Sequence, residues 1–409
     1  MTSTPDTPSA STSGTGPVLT PPFEPRLSHD VFDRILTRVR RRMSADGFDG
    51  LLSDDPDDVA HLTGFFHHPS ERPVAALLTL EGDVTLLVPE LEVDHALDQD
   101  VRARLVSYPE YPGVVNPFAA LFATAPDGRL AVTTQITQHR LAMLRAGSGG
   151  REWVPSDLLV GVRAVKEPEE VVLHREAARI TDVMLRAGVD LVADGAAGGT
   201  LPSEADLARH VGAVGVQEMY AHHADVVVVS PLAGGLVYAG ENSVRPHGLP
   251  SGRRLRPGDT FVLSLGCAVG GRFVEGERTF VLGAPTAQQR RYHDAVRDAQ
   301  AEGSRAIAPG VRCADSNARC LDVLRDAGLG RHLRHRQGHG IGLGMHEPPW
   351  LEDGDDTVLR PGMIVSNEPG IYVPGHAGYR ISDSVLVTAT GSEPLTTFPR
   401  SLDDCLVPL

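Results

Sequence analysis

One four-residue motif occurs twice in this chain, and each copy leads directly into an apolar segment that has the character of a strand. Leu255-Arg256-Pro257-Gly258 precedes Thr260–Gly266, and Leu359-Arg360-Pro361-Gly362 precedes Met363–Gly370. Proline sets the turn and cannot donate a backbone N–H to the strand that follows. Two similar turns can arise by chance, but a helical segment lies between them. The alternative is a duplicated βαβ half, which is favoured only if other motifs in the chain agree with it.

Apolar periodicity divides the rest of the chain into helices and strands. Ser, Thr and Pro dominate residues 1–25, which predicts a disordered tail. A smaller α/β domain is predicted over residues 26–162 and a larger domain over residues 163–409. Helices are predicted at 28–46, Pro168–Val192, from Ser203 onward, Ala287–Ile307 and Ala314–Ala327, and strands at Gly50–Ser53, Val74–Leu80, Val84–Val88, Val226–Ser230, Thr260–Gly266, Arg272–Gly283, Met363–Glu368 and Ser382–Thr388.

Charge and composition exclude several classes of function. The 409 residues carry a formal net charge of -15, which argues against non-specific binding to nucleic acids or anionic membranes. No apolar run is long enough to predict a membrane span. Four dispersed cysteines, with no secretory signal, predict reduced thiols and a cytoplasmic protein.

Four motifs in the larger domain carry residues suited to chemistry. They are Pro246-His247-Gly248, Gly266 through Thr279, Gly338 through Glu347, and Glu368-Pro369-Gly370 with Tyr379 through Asp383. Their order and spacing resemble the creatinase/Xaa-Pro dipeptidase ("pita-bread") family. The resemblance implies an α+β protein, with a C-terminal pita-bread fold of duplicated βαβ halves behind a smaller α/β domain. It also implies a hydrolase acting on C–N bonds, a small-molecule substrate and a homodimer.

Most members of that family hold two divalent metals with two Asp, one His and two Glu, and two of these five positions are serine in this chain. Ser264 stands for the first Asp and Ser382 for the last Glu. Because strand side chains alternate between faces, the adjacent Asp383 is expected to point away from the site. Loss of two carboxylates predicts that a two-metal site is lost. A residual site for one ion (Mn, Fe, Co or Zn) remains possible at Glu275, His339 and Glu368.

The resemblance is closest to the metal-independent creatinase branch, which predicts a hydrolase with no cofactor. It assigns His247 as the general base and acid. It also implies that Glu277 and Glu368 bind an amidino or guanidino cation in place of the metals. His339 completes the predicted catalytic set.

Four further residues are predicted to contact the substrate. His346 follows the glycine-rich motif, and Arg380 precedes Ser382. Trp350 lies near the place where creatinase has an arginine for the substrate carboxylate. The resemblance implies that Arg72 reaches the site from a partner subunit.

Two alternatives stay open at this stage. One is a divergent Xaa-Pro dipeptidase or aminopeptidase that retains a single divalent metal. The other is a pita-bread lyase or a binding module, because a fold does not determine its chemistry. Taken alone, a loop histidine such as His247 is most often solvated, and a strand carboxylate such as Glu277 most often faces solvent.

Overall fold

The structure, a computed structural model, describes residues 25–123, 126–223 and 233–409. Its N-terminal part is built on a six-stranded mixed sheet with the strand order β4-β3-β2-β1-β5-β6. The predicted tail and the predicted strand at 226–230 lie outside the described residues. The elements of this part are α1 (His29–Ala45), β1 (Gly50–Ser53), α2 (Pro56–Thr63), β2 (Ala75–Thr79), β3 (Thr85–Pro89), α3 (Val93–Asp98), β4 (Arg104–Tyr108), β5 (Leu130–Thr133), α4 (Gln138–Gly147), β6 (Trp153–Ser156) and α5 (Leu158–Arg163).

The C-terminal part is built on a larger sheet with the order β11-β10-β12-β15-β9-β8-β7, to which β16 and β17 are joined, and β13 and β14 form a separate ribbon. The mixed helix and strand content and the two-part architecture confirm the predicted fold class. The elements are α6 (Pro168–Ala197), α7 (Glu204–His222), β7 (Ala233–Ala239), β8 (Thr260–Val269), β9 (Arg272–Leu282), α8 (Ala287–Ala306), α9 (Cys313–Asp326), β10 (Gly338–Gly340), β11 (Glu347–Leu351), β12 (Ile364–Asn367), β13 (Gly370–Val373), β14 (Ala377–Arg380), β15 (Ser382–Val387), β16 (Ser392–Pro394) and β17 (Leu406–Val407).

Helix ends follow local capping chemistry. The Ser203 hydroxyl accepts from the backbone N–H of Asp206, and the Asp206 carboxylate accepts from the backbone N–H of Ser203, so a capping box begins α7. Thr286 and Gln289 make the same reciprocal pair at the start of α8. The predicted domain boundary at residues 162 and 163 stays a prediction; α5 ends at Arg163 and α6 begins at Pro168.

The two copies of the repeated motif adopt the same turn. Gly258 and Gly362 both have left-handed backbone, with φ of 84° and 88°. The N–H of Gly258 bonds the carbonyl of Leu282 at the end of β9, and that of Gly362 bonds the carbonyl of Val387 at the end of β15. Each glycine thus joins the entry of one strand to the exit of its antiparallel partner, β8 to β9 and β12 to β15. This equivalence supports a duplicated half.

The helices pack on one side of the larger sheet, and the candidate catalytic residues lie on the other side. The apolar face of α6 and α7 packs on β7, β8 and β9, where Leu185, Val211 and Leu263 are fully buried. Helices α8 and α9 pack together and against the β13–β14 ribbon. No helix within the described ranges is both long and apolar enough to cross a membrane.

Candidate active site

The strands of the larger sheet border a cavity of about 1100 Å³. Its walls combine carboxylates, histidines and arginines with glycine-rich backbone, a composition that favours polar substrates. All four predicted catalytic residues line it. The charged, histidine and serine side chains in its lining are Arg245, His247, Ser264, Glu275, Glu277, Arg334, His335, Arg336, His339, His346, Glu352, Glu368 and Arg380.

Strand register brings the acidic residues together. Glu275 and Glu277 alternate with Gly276 on β9, so their side chains share one face. Ser264 on β8 and Ser382 on β15 both lie directly opposite Glu277, one on each side. Glu368 directly follows β12. The pairing of these strands therefore brings together the acidic residues of motifs that are far apart in the sequence.

His339 presents a bare ring nitrogen to two carboxylates. Its Nδ1 lies 3.0 Å from the carbonyl of Gly340, which identifies Nδ1 as the protonated nitrogen of the neutral ring. Its Nε2 is buried and lies 3.3 Å from Glu368 Oε1 and 3.6 Å from Glu275 Oε2. A lone pair that faces two carboxylate oxygens requires a cation or a proton between them.

The pKa values of these three groups shift in directions that agree with their positions. Burial raises the pKa of Glu275 to about 8, and the charge of Glu368 adds to the shift. Burial also opposes ionisation of Glu368, but the adjacent His339 outweighs it and holds the pKa at about 2. Burial lowers the pKa of His339, yet Glu275 and Glu368 outweigh it and raise the pKa to about 9. All three directions favour positive charge between the two carboxylates.

The donor set fits one divalent metal and does not fit two. Ligand atoms of Glu275, His339 and His346 lie within 4.8 Å of one another, and Glu368 faces the same histidine nitrogen. Carboxylate and imidazole donors suit Mn, Fe, Co or Zn. At the two serine positions, Ser382 Oγ donates to Glu275 Oε1 at 2.9 Å, and Ser264 Oγ donates to Glu277 Oε1. Neutral hydroxyls there supply no charge for a second ion.

Asp383 does not replace the carboxylate missing at Ser382. Its side chain is fully buried on the opposite face of β15 and lies 2.8 Å from Arg278 Nη2. Gln300 and Thr396 donate to the same carboxylate, at 2.6 and 2.7 Å, and Arg400 Nε lies 2.6 Å from it. The expectation from strand alternation agrees with this placement.

Glu277 is already paired with a cation from its own chain, which the sequence did not indicate. Arg380 Nη2 lies 2.7 Å from Glu277 Oε1, and Arg380 Nε meets the other carboxylate oxygen. Both side chains are buried, 5% and 4% exposed. The predicted role of Glu277 in holding a cationic substrate group is therefore wrong, because an internal guanidinium occupies that position.

Of the other predicted site residues, two line the cavity and two do not. His247 and His346 are both exposed and both line the cavity, and the His346 ring lies beside the His339 ring, with ring centroids 4.1 Å apart. Trp350 is not in the lining, but its ring supports Arg336, whose Cζ lies 4.3 Å from the ring centroid. Arg72 lies outside its own chain's cavity and pairs with Glu71 at 2.8 Å.

A buried ion cluster fixes the strand that follows His346. Glu347 accepts from Arg163 Nη2 at 2.8 Å and from Lys166 Nζ at 3.0 Å. Arg163 also reaches Asp58, at 2.9 Å, and so joins α2 of the N-terminal part to β11. Burial raises the pKa of Glu347, but Lys166 and Arg163 outweigh it and the pKa is lowered. The acidic residue directly after His346 was the available sequence signal for this cluster.

Comparison with known proteins gives the family. The family model described as "Metallopeptidase family M24" matches residues 172–389, and "Creatinase/Prolidase N-terminal domain" matches residues 35–165. "Probable dipeptidase PepE" of Mycobacterium tuberculosis is 31% identical over 382 residues, 92% of this chain and 97% of that protein. The crystal structure of dipeptidase PepE from Mycobacterium ulcerans has a TM-score of 0.81 at 29% identity, covering 94% of this chain and 100% of that one. Xaa-Pro dipeptidase from Bacillus anthracis has a TM-score of 0.78 at 25% identity, covering 91% and 99%.

These matches correct two predictions. A metal-independent, creatinase-like hydrolase is wrong, because the matched family is one of metallopeptidases and the similar proteins carry the names of dipeptidases. The prediction of no cofactor is wrong for the same reason, and Glu275, His339 and His346 form a group able to hold a metal. The predicted resemblance and the prediction of a hydrolase of C–N bonds are confirmed. This chain belongs to metallopeptidase family M24.

Proposed function

We propose that the chain is a dipeptidase that hydrolyses Xaa-Pro dipeptides with one divalent metal. The observation that carries the proposal is the bare Nε2 of His339, 3.3 Å from Glu368 and 3.6 Å from Glu275. The substrate class rests on the similarity to the Xaa-Pro dipeptidase from Bacillus anthracis. That protein is 25% identical to this chain, and the match covers 91% of this chain and 99% of that one.

The chain's own residues divide the work. Glu275, His339 and Glu368 hold the metal, with His346 at the edge of the same group. When bound, the metal supplies Lewis-acid polarisation of the scissile carbonyl. His247, on the exposed side of the cavity, takes a proton from the water that adds to the scissile carbonyl carbon and gives it to the proline nitrogen as the C–N bond breaks. Hydrogen bonds from His346 orient the substrate over the carboxylates.

The test begins with protein stripped of metal by a chelator and reconstituted with Mn, Fe, Co or Zn separately. Cleavage of Ala-Pro and Leu-Pro is compared with cleavage of Ala-Ala and Leu-Ala. Cleavage of the proline dipeptides is expected only after a metal is restored. Activity that is unchanged in stripped protein, with no ion bound, would refute the proposal, and product analysis separates hydrolysis from a lyase reaction.

Two histidine variants assign the site. His339→Ala is expected to lower metal affinity at least about a hundredfold, since supporting residues of metal ligands alone cost 10- to 100-fold. His139→Ala, at an exposed position of α4 outside the cavity lining, is the matched control and is expected to leave affinity unchanged. Equal metal content in both variants would contradict the ligand role of His339.

We also propose that the enzyme acts as a homodimer in the cytoplasm. All four cysteines are buried free thiols, which fits a reducing compartment. Arg72 lies outside the cavity of its own chain, so a contribution to substrate binding requires a partner subunit. Arg72→Ala is expected to raise KM without changing the metal content, and sedimentation gives the number of subunits.

A further inference from the structure

Three side chains form a row across three adjacent strands at the floor of the cavity. Glu277 on the middle strand β9 lies opposite Ser264 on β8 and opposite Ser382 on β15. All three line or border the same acidic site, and both flanking positions carry hydroxyls where the family resemblance places carboxylates. One carboxylate therefore lies on the middle strand between two positions that have lost theirs.

Arg380 is enclosed beside this row as a resident cation. Its Nη2 lies 2.7 Å from Glu277 Oε1, 3.0 Å from Ser264 Oγ and 2.9 Å from the Tyr238 hydroxyl. Its Nη1 donates to the Tyr372 hydroxyl at 3.2 Å, and its Nε meets the second oxygen of Glu277. An arginine side chain keeps its charge under all ordinary conditions. Contacts with Glu277, Ser264, Tyr238 and Tyr372 hold the guanidinium in place.

The charges then balance for one divalent ion. Arg380 neutralises Glu277, and Glu275 and Glu368 remain to offset a single dication beside His339. A second dication would find hydroxyls at Ser264 and Ser382, and the carboxylate between them is already neutralised by Arg380, so its charge would stay uncompensated in a buried site.

We infer that the Arg380–Glu277 ion pair, with hydroxyls at positions 264 and 382, leaves no free carboxylate for a second metal and limits this enzyme to one metal per chain. The inference rests on the proposed one-metal function and adds the reason for the stoichiometry. Arg380 is thus a positioning residue, which neutralises the Glu277 carboxylate beside the proposed metal site.

The experiment titrates metal-free full-length protein with Mn²⁺, using calorimetry for affinity and elemental analysis after equilibrium dialysis for stoichiometry. The wild-type chain is expected to bind one ion. The variant S264D/E277T/S382E returns carboxylates to both flanking strands and removes the partner of Arg380. This variant is expected to bind two ions, and a folded variant that still binds one overturns the inference.

A single substitution gives an independent result if the triple variant does not fold. Glu277→Gln keeps the side-chain shape but leaves Arg380 uncompensated beside the metal, so Mn²⁺ affinity is expected to fall at least about tenfold. Glu352→Gln, at the cavity rim and paired with Arg336, removes one negative charge at a more exposed position and is expected to change affinity less. Equal affinities for wild type and Glu277→Gln would overturn the inference.

Failure of this inference differs from failure of the proposed function. A wild-type chain that binds two ions and cleaves Xaa-Pro dipeptides overturns only the role of the ion pair. A wild-type chain that binds no ion overturns the proposed function and the inference with it. Binding of one ion, with the predicted responses of the two variants, supports both.

Discussion

Replacing Glu347 by glutamine is expected to lower the free energy of unfolding by about 3–5 kcal/mol. The carboxylate lies 2.8 Å from Arg163 and 3.0 Å from Lys166, and the three side chains are only 10%, 10% and 3% exposed. An amide keeps the volume but removes the charge, so buried Lys166 loses its carboxylate partner, while Arg163 loses one of its partners and still pairs with Asp57 and Asp58. Breaking a buried ion pair from one side is costly because the remaining charge stays desolvated.

The assay is urea denaturation followed by far-UV circular dichroism, with a double-mutant cycle. Lys166→Met removes the cation that loses its carboxylate partner in Glu347→Gln. The double variant E347Q/K166M is therefore expected to be about 1–3 kcal/mol more stable than the sum of the two single changes predicts. Glu393→Gln is the matched control, since its pair with Arg175 is 43% and 42% exposed. That surface pair is expected to cost no more than about 1 kcal/mol.

The control variant Glu393→Gln shows whether the cost of Glu347→Gln comes from breaking a buried ion pair. A cost for Glu347→Gln no larger than that for Glu393→Gln would refute the argument that Glu347 compensates two buried cations. Additive single changes, with no coupling between Glu347 and Lys166, would refute the direct pairing. Metal content measured on the same samples shows whether loss of the cluster also disturbs the adjacent His346.

Three further outcomes are expected. Dialysis against a chelator should lower the melting temperature, and an ion restored at a hundred times its Kd should return about 2.7 kcal/mol of stability. Burial raises the pKa of Glu170, but Arg272 at 2.9 Å outweighs it and holds the pKa at about 2, against an ordinary 4.5. Ionised Glu170 therefore contributes folding stability that is present above pH 4.5 and is lost as the pH falls towards 2. Glu170→Gln should therefore cost about 3 kcal/mol at pH 7 and little at pH 2, as urea titrations at both pH values will show. Asp383→Asn should cost about 3 kcal/mol by leaving Arg278 unpaired, with no change in metal stoichiometry, because the carboxylate faces away from the site.

Local pattern was sufficient for much of the fold. Helix α1 needs only the spacing of Phe32, Ile35, Leu36, Val39 and Met43, all of which are buried. Strand β1 runs from Gly50 to Ser53, the same bounds as the apolar run. Strand β7 was different, since Ala233–Ala239 contains two glycines and forms a strand only because it pairs along β8. Its order comes from a partner about thirty residues away, which single-sequence periodicity cannot detect.

Motif spacing located the site but did not settle its charge balance. The motifs indicated Glu275, His339 and Glu368 as a residual metal group and the loss of two carboxylates; in the structure, ligand atoms of Glu275, His339 and His346 lie within 4.8 Å of one another and Glu368 Oε1 lies 3.3 Å from His339 Nε2. The sequence could not show that Arg380 turns towards Glu277, because 103 positions separate them and the contact depends on the β8–β9–β15 register. Without that ion pair, a free Glu277 favoured an external cationic substrate, and the metal was wrongly excluded.

The row formed by Ser264, Glu277 and Ser382 has a consequence for how such enzymes diverge. The three residues lie on neighbouring strands at one level, so exchanging acid for hydroxyl among them changes the ligands without moving the backbone. On the proposed one-metal function, substitutions at these three positions are expected to change the number of ions bound without changing the fold. A form with one ion halves the transition metal needed for each active molecule, which is an advantage wherever growth is limited by the supply of that metal.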